Sequence, residues 1–407
     1  MRLLARLPAP ALSRYRRSMR PSGPRALALA AALTGALAGC GEPLPSSQRI
    51  AGTRVLALRA DVVAPLPLLP EDPELAPRCQ ALPFEGVRLT PFVVDPDGPF
   101  DPALLDPIWL ACNLGPIEGL FACLKAAIPT DLAAIPECPP VSLGGLDPEA
   151  AELPEPPNPC RIPADDTPDD GQHDHTLPLP APLHPGGAVQ STRLGRDPRV
   201  AGAPTSEACA AALLGGATAI DDACVYVVQR VSVGPIERLL LLLESFGAEL
   251  PPGIEPPDPD AIPDPDRNTR ITDFAVTIVR PDGSVEELGP QARGATVEVE
   301  LGDLLELRTT APESDLQVFP VPVNQGQGGT EERAETYRGR WFRTWGSLLA
   351  GSSDDPASYN EWEMIEGDQD EGPRPPGDRA TLYYVLRDSR QGVDWWWIHV
   401  ALAPDAP

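Results

Sequence analysis

Basic charge is scarce in this 407-residue chain: 32 Lys and Arg stand against 59 Asp and Glu, for a net charge of −27. That balance excludes nucleic acid as a main partner, because phosphate recognition needs a basic patch. Only one lysine is present, Lys125, and only four histidines. No apolar run reaches the ~18 residues that a membrane-crossing helix requires. There is no G-x-S-x-G elbow, H-E-x-x-H helix, Walker loop or C-x-x-C pair, so the usual signatures of hydrolase, zinc protease, nucleotide and redox chemistry are missing. No cofactor is expected. Cysteine is absent after position 224. Helix-compatible stretches are few, because the 54 prolines and 35 glycines interrupt them.

What is present begins with an address. Residues 1–39 hold seven arginines and no acid, and Ala26–Ala38 is nearly all apolar. The stretch ends Leu37-Ala38-Gly39-Cys40. A basic region, a short apolar region and small residues before a cut form an export signal. The last four residues resemble the lipobox of bacterial lipoproteins. That resemblance implies cleavage before Cys40 and lipidation of its sulfur. Met19 would start a signal of more typical length. Gly41 after the cysteine, by the same resemblance, implies the outer membrane of a Gram-negative cell. Loss of residues 1–39 would take the net charge to −34.

The rest divides by composition. Residues 40–268 carry 39 prolines and seven cysteines from position 79 onward, counted after Cys40; residues 269–407 carry 11 prolines and 13 of the 21 aromatics. The expected organisation is a tether at 40–48, a β-rich cysteine-containing domain at 49–250, a stiff Pro-Asp linker at 251–268 and a β-sandwich at 269–404. In the first domain Arg54–Ala60, Val87–Val94 and Ile108–Cys112 read as strands, with a turn at Asp95-Pro96-Asp97-Gly98. Glu118–Ala127 reads as a short helix. Residues 139–204 are Pro-rich and acidic, and are expected to be a disordered insertion. Ser206–Leu214 reads as a helix with Ser206 at its N-cap, Val225–Val233 as a strand and Ile236–Phe246 as a helix ended by Gly247.

In the second domain, strands are expected at Ile271–Val279, Thr296–Leu301, Leu304–Thr309 and Glu335–Phe342. A long polar loop is expected at 346–376, then a closing hairpin of Thr381–Arg387 and Val393–Leu402. The strand Arg54-Val55-Leu56-Ala57-Leu58-Arg59-Ala60 followed by Trp109-x-x-Cys112 resembles exported lipoproteins of myxobacteria. The run Leu382-x-Tyr384-x-Leu386-x-Asp388-x-x-x-Gly392 is similar to the closing hairpin of PKD and related immunoglobulin-like modules, although those more often place two residues between the Asp and the Gly. These resemblances imply a mainly β protein with an immunoglobulin-like sandwich at its C-terminus, and they imply little about function.

Candidate chemistry is thin. His173 and His175 lie on one side of an extended chain among acids, a weak metal-ligand pattern whose plainer reading is a solvated linker. Asp264-x-Asp266-x-Asn268 has the start of a calcium loop, but Thr269 and Ala275 occupy the positions of its glycine and its acidic twelfth ligand. Cys209 and Cys224 flank a short Gly-containing segment and are the first disulfide candidates in an oxidising compartment. His399 is expected to be a structural histidine. On Val393–Leu402 alternate residues face opposite ways. Trp396, Ile398, Val400 and Leu402 therefore share the core face. Trp395 and Trp397 share the other, either as an interaction surface or covered by the 346–376 loop. The sequence thus predicts a cell-envelope lipoprotein with a non-catalytic binding or scaffolding role. Its partners would be the membrane, through its lipid, and an envelope protein or glycan. The alternatives are a metal-dependent envelope enzyme and a calcium-stiffened, adhesin-like stalk.

Overall fold

The computed structural model describes residues 48–65, 75–82, 85–105, 107–114, 132–138, 159–162, 175–178, 188–196, 202–215, 223–245, 256–259, 262–322, 330–364 and 377–403. Cys40, the export signal, the expected helix at 118–127, Gly247 and His173 lie outside these residues. Residues 46–407 form one compact unit. No helix among the described residues is long and apolar enough to cross a membrane.

The chain is mainly β. Its first part contributes β1 (Arg54–Ala64), β2 (Gly86–Asp95), β3 (Gly98–Pro99), β4 (Ile108–Leu114), β5 (Cys160–Arg161), β6 (His175–Pro178), β7 (Ala188–Arg196) and β8 (Cys224–Ser232). β1, β2 and β3 form one sheet, with β6 also on β2; the second sheet runs β5-β4-β7-β8. Leu58, Val87 and Leu89 from the first sheet meet Trp109, Ala111 and Val231 from the second in one buried cluster. The alternation of β2 explains this, because Val87 and Leu89 fall on one face and Arg88 and Thr90 on the other. Asp95 shapes the β2–β3 turn: its Oδ1 accepts from the amides of Asp97 and Gly98 at 2.7 and 3.0 Å.

The stretch expected to be a disordered insertion holds three of these strands. β7 is an interior strand, antiparallel to β4 on one side and to β8 on the other. Its segment Ala188-Val189-Gln190-Ser191-Thr192-Arg193-Leu194 contains no proline and alternates weakly, and its Pro-dense surroundings mask that signal.

Helix α1 (Ser206–Leu214) and helix α2 (Ile236–Ser245) flank β8 in sequence. The cap of α1 is Thr205 rather than Ser206: the Thr205 hydroxyl accepts from the Ala208 amide at 3.2 Å. Ser206 is instead buried and donates to the Leu105 carbonyl. Cys209 and Cys224 are disulfide-bonded, with Cα atoms 5.6 Å apart, which ties α1 to the start of β8. A second bond joins Cys138 and Cys160.

The second part supplies β9 (Asp273–Val279), β10 (Val285–Pro290), β11 (Thr296–Val299), β12 (Leu304–Thr310), β13 (Val318–Pro322), β14 (Thr330–Ala334), β15 (Tyr337–Arg343), β16 (Ser347–Leu348), β17 (Ser352–Ser353), β18 (Ala357–Glu363), β19 (Arg379–Asp388) and β20 (Val393–Leu402). Two five-stranded sheets result, β10-β9-β12-β18-β16 and β11-β20-β19-β15-β17; β13 and β14 form a separate hairpin. This is an immunoglobulin-like sandwich. β12 and β18 pair as its B and E strands, and β15, β19 and β20 follow in the order C, F, G. Phe274, Val276, Leu305, Leu307 and Trp362 of one sheet pack on Trp341, Tyr384, Ile398 and Val400 of the other. The segment expected to be a 346–376 loop thus carries β16, β17 and β18, and β18 brings the fully buried Trp362 into the core.

The two parts share a core. β19 is buried along most of its length because both of its faces are covered. Leu382, Tyr384 and Leu386 point into the sandwich. Tyr383 and Val385 point the other way, into a cluster with Leu56, Ala57, Phe92 and Val94 of β1 and β2. The Tyr383 hydroxyl donates to the Asp95 carbonyl at 3.1 Å, and Arg387 donates to the Leu56 carbonyl at 2.7 Å. The segment read as a linker follows suit: Ile262, Asp266 and Asn268 are buried.

Candidate functional site

Ionisable chemistry gathers where residues 262–268 pass the β19–β20 turn. Asp266 is held by its backbone first. Its carbonyl accepts from the amides of Cys79 and Gln80 at 2.9 and 3.2 Å, and its amide donates to Gln80 Oε1 at 2.9 Å. These bonds fix the side chain 1% exposed, with the Cys79 thiol donating to Oδ2 at 3.1 Å. Asp266 Oδ1 is buried and makes no hydrogen bond; Arg390 Nη1 lies 4.0 Å away.

Two further carboxylates close the site. Asp388 Oδ1 accepts from the amides of Arg390 and Gly392, both at 2.9 Å, and so builds the turn that carries Arg390. Glu335 Oε2 accepts from the Gln317 amide at 2.9 Å, while its Oε1 takes Arg390 Nη1 at 3.0 Å. Arg390 also donates to Gln317 Oε1 and Gln80 Oε1 and lies over the Phe319 ring. One oxygen from each of Asp266, Glu335 and Asp388 falls within 4.8 Å of the others, and all three residues are buried. Burial, and after it the negative charge of Asp388, pushes the Asp266 carboxyl up to about 8; Arg390 opposes this. Burial and then Glu335 push Asp388 up to about 6. Burial, with Asp266 and Asp388 beside it, drives the Cys79 thiol well above its ordinary range, which favours the protonated form that donates to Asp266.

Asn268 completes the joint. Its side-chain amide donates to the Ala60 carbonyl at 2.6 Å and to Asp61 at 2.9 Å, and its Oδ1 accepts from the Val393 amide at 3.0 Å. One side chain thereby connects β1, β20 and the crossing segment. Gly392 makes the approach possible. A Cβ there would overlap Asp388 Oδ2 and lie 2.6 Å from the Arg267 carbonyl oxygen. Gly392→Ala is therefore expected to destabilise the protein by about 1–3 kcal/mol, the range for overpacking against backbone. A denaturation midpoint equal to wild type would show that the turn and the crossing segment separate freely.

The residues that sequence singled out are placed as follows. Asp266 belongs to the cluster, whereas Asp264 is exposed and pairs with Arg238 at 2.9 Å. His175 opens β6, opposite Leu89. His399 is buried with Nδ1 3.0 Å from the Thr381 hydroxyl, and burial lowers its proton affinity. Trp396 faces the sandwich core, stacked on Phe274 with Arg293 over its ring. Trp395 and Trp397 are half-buried, and their neighbour is Phe92 of β2, stacked on Trp395 at 5.0 Å and tilted against Trp397 at 5.8 Å. Glu335, Arg390 and Cys79 carried no local signal, being far from Asp266 in sequence; the Asp388-x-x-x-Gly392 run was the visible trace of the site. No family model and no curated protein matches this chain.

Proposed function

We propose that this chain is a lipid-anchored protein of the bacterial cell envelope, on the outer membrane, whose role is non-catalytic binding or scaffolding. The address rests on the basic and apolar segments before Leu37-Ala38-Gly39-Cys40 and on the resemblance to exported myxobacterial lipoproteins. The role rests on one structural observation. The most strongly perturbed acids, Asp266 and Asp388, are spent on joining the sandwich to the sheets before it, inside the protein. Groups poised for turnover are more commonly found in a cleft that substrate can enter. Here the same chemistry ties residues 262–268 to residues 75–82 and to the β19–β20 turn, which suits a partner-presenting module held at a membrane by its N-terminus. The partner class is an envelope protein or glycan.

Cys40→Ser separates this reading from others. Two or three acyl chains give stable anchoring, and no helix among the described residues is long and apolar enough to cross a bilayer. The variant is expected to move from the membrane fraction to the soluble fraction, and to lose a mass shift consistent with acylation. A Cys40→Ser protein that stays membrane-bound at the wild-type level rules out the anchor.

A further inference from the structure

The cluster at the joint does not balance its charge. Asp266, Glu335 and Asp388 are all buried, and the Arg390 guanidinium reaches Glu335 and Asp266. Fully ionised, the group would hold two net negative charges away from water, which a low-dielectric interior does not tolerate without compensation. Either a proton or a metal cation must supply it.

The geometry favours the proton. Arg390 Nη1 sits 3.0 Å from Glu335 Oε1 and 4.0 Å from Asp266 Oδ1, in the space a shared cation would fill. Asp388 Oδ1 is already committed to two turn amides, and Asp266 Oδ2 to the Cys79 thiol. Asp266 Oδ1 remains as the buried oxygen without a donor.

We propose that this joint is a proton-operated latch: Asp266 carries a proton at neutral pH, and losing it on the alkaline side loosens the grip of residues 266–268 on Cys79 and Gln80. The groups that face Asp266 are the Cys79 thiol and the neutral Gln80 from residues 75–82, Glu335 before β15, and Asp388 and Arg390 in the β19–β20 turn. Of these, Arg390 and the hydrogen bond from the Cys79 thiol favour the ionised form, while burial, Asp388 and Glu335 oppose it. When the joint opens, the carboxyl meets water and returns to its ordinary value of 3.8, whereas closed it holds its proton up to about 8. The closed form therefore binds the extra proton between those limits. Its advantage over the open form is greatest at acid pH, falls by up to about tenfold per pH unit as pH rises through the window, and is lost above pH 8. Asp388 adds its own dependence below about pH 6, so the range above that belongs to Asp266.

The experiment is amide exchange on the full mature chain, corrected for intrinsic base catalysis. It reads the amides of Cys79, Gln80 and Asn268, which donate to the Asp266 and Pro77 carbonyls across this joint. In the wild type their opening constant should rise about fifteenfold between pH 6.5 and 8 and level off above that. Asp266→Asn keeps the shape without the titrating proton and should be flat over that range. Should the variant fold poorly, the carboxyl-carbon titration of Asp266 in the wild-type chain decides directly: a midpoint near 8 supports the latch and one near 4 overturns it. A second arm adds calcium or magnesium chloride at pH 7.5. Protection that appears with the metal and vanishes in Asp266→Asn would overturn the proton in favour of a bound cation; unchanged exchange supports it.

Discussion

Trp362→Ala is expected to lower stability by about 3–5 kcal/mol, the range for removing a buried aromatic from a core. Trp362 is fully buried on β18, opposite Leu305 of β12, and it belongs to the same buried cluster as Phe274, Trp341 and Trp345. Its indole N–H donates to the Trp345 carbonyl at 2.9 Å, so truncation also strands that acceptor. The void could not be refilled by a small shift, because both sheets are hydrogen-bonded into five-stranded ladders. Gly346 lies against the ring with φ of +82°, and a Cβ there would collide with the indole, so the turn before β16 is shaped to this side chain. Trp362→Phe should recover much of the loss while leaving the carbonyl unpaired. Denaturant midpoints measure both. A loss under about 1 kcal/mol for the alanine variant would mean that the two sheets do not meet at Trp362.

That tryptophan also marks where the sequence ceased to be legible. The stretch 346–376 looks polar because β18 alternates, Ala357-Ser358-Tyr359-Asn360-Glu361-Trp362-Glu363, with its buried positions taken by Ser358 and Asn360 as well as Trp362. Ser358 accepts from the Trp341 indole, and Asn360 makes a reciprocal pair of bonds with the Ala350 backbone, so a core face here is built from satisfied polar groups. Hydrophobic periodicity cannot detect such a strand. The β19–β20 hairpin was legible for the opposite reason, since its apolar residues are strong on both faces. β1 and β2 were legible through their valines and leucines, though β1 runs on to Ala64. The candidate site was readable only in part. Asp388 and Gly392 stood out as a turn, but Asp266 sits in a Pro-Asp context whose local physics says extended and solvated. Its burial is decided by Cys79, Gln80 and Arg390, partners up to 187 residues away, and composition carries no information about such pairings.

Glu85→Ala is expected to cost about 3–5 kcal/mol, because it leaves a guanidinium buried without its carboxylate. Arg78 and Glu85 are 1% and 0% exposed, and they meet through two parallel bonds of 2.9 and 2.7 Å. Glu85 Oε2 additionally accepts from the Leu82 amide at 2.7 Å, which closes the turn leading into β2. The pair therefore ties Arg78, beside Cys79 and Gln80, to Glu85 just before β2. Arg78 is further tied in by its carbonyl, which accepts from the Val62 amide at 2.9 Å, and by a bridge to Arg267. Solvent does not reach the pair, so its contribution should change little between low and high salt, unlike that of the exposed Arg333–Glu331 pair. Arg78→Met alone should be destabilising too, since Glu85 would lose both of its guanidinium bonds while staying buried. The double variant Arg78→Met, Glu85→Leu removes both charges at similar volume and should be closer to wild type than either single change. Equilibrium unfolding of the four proteins gives the coupling directly. Additive losses, with the double variant the least stable of the set, would show that the two side chains do not compensate each other and would remove the pair as the anchor of this segment.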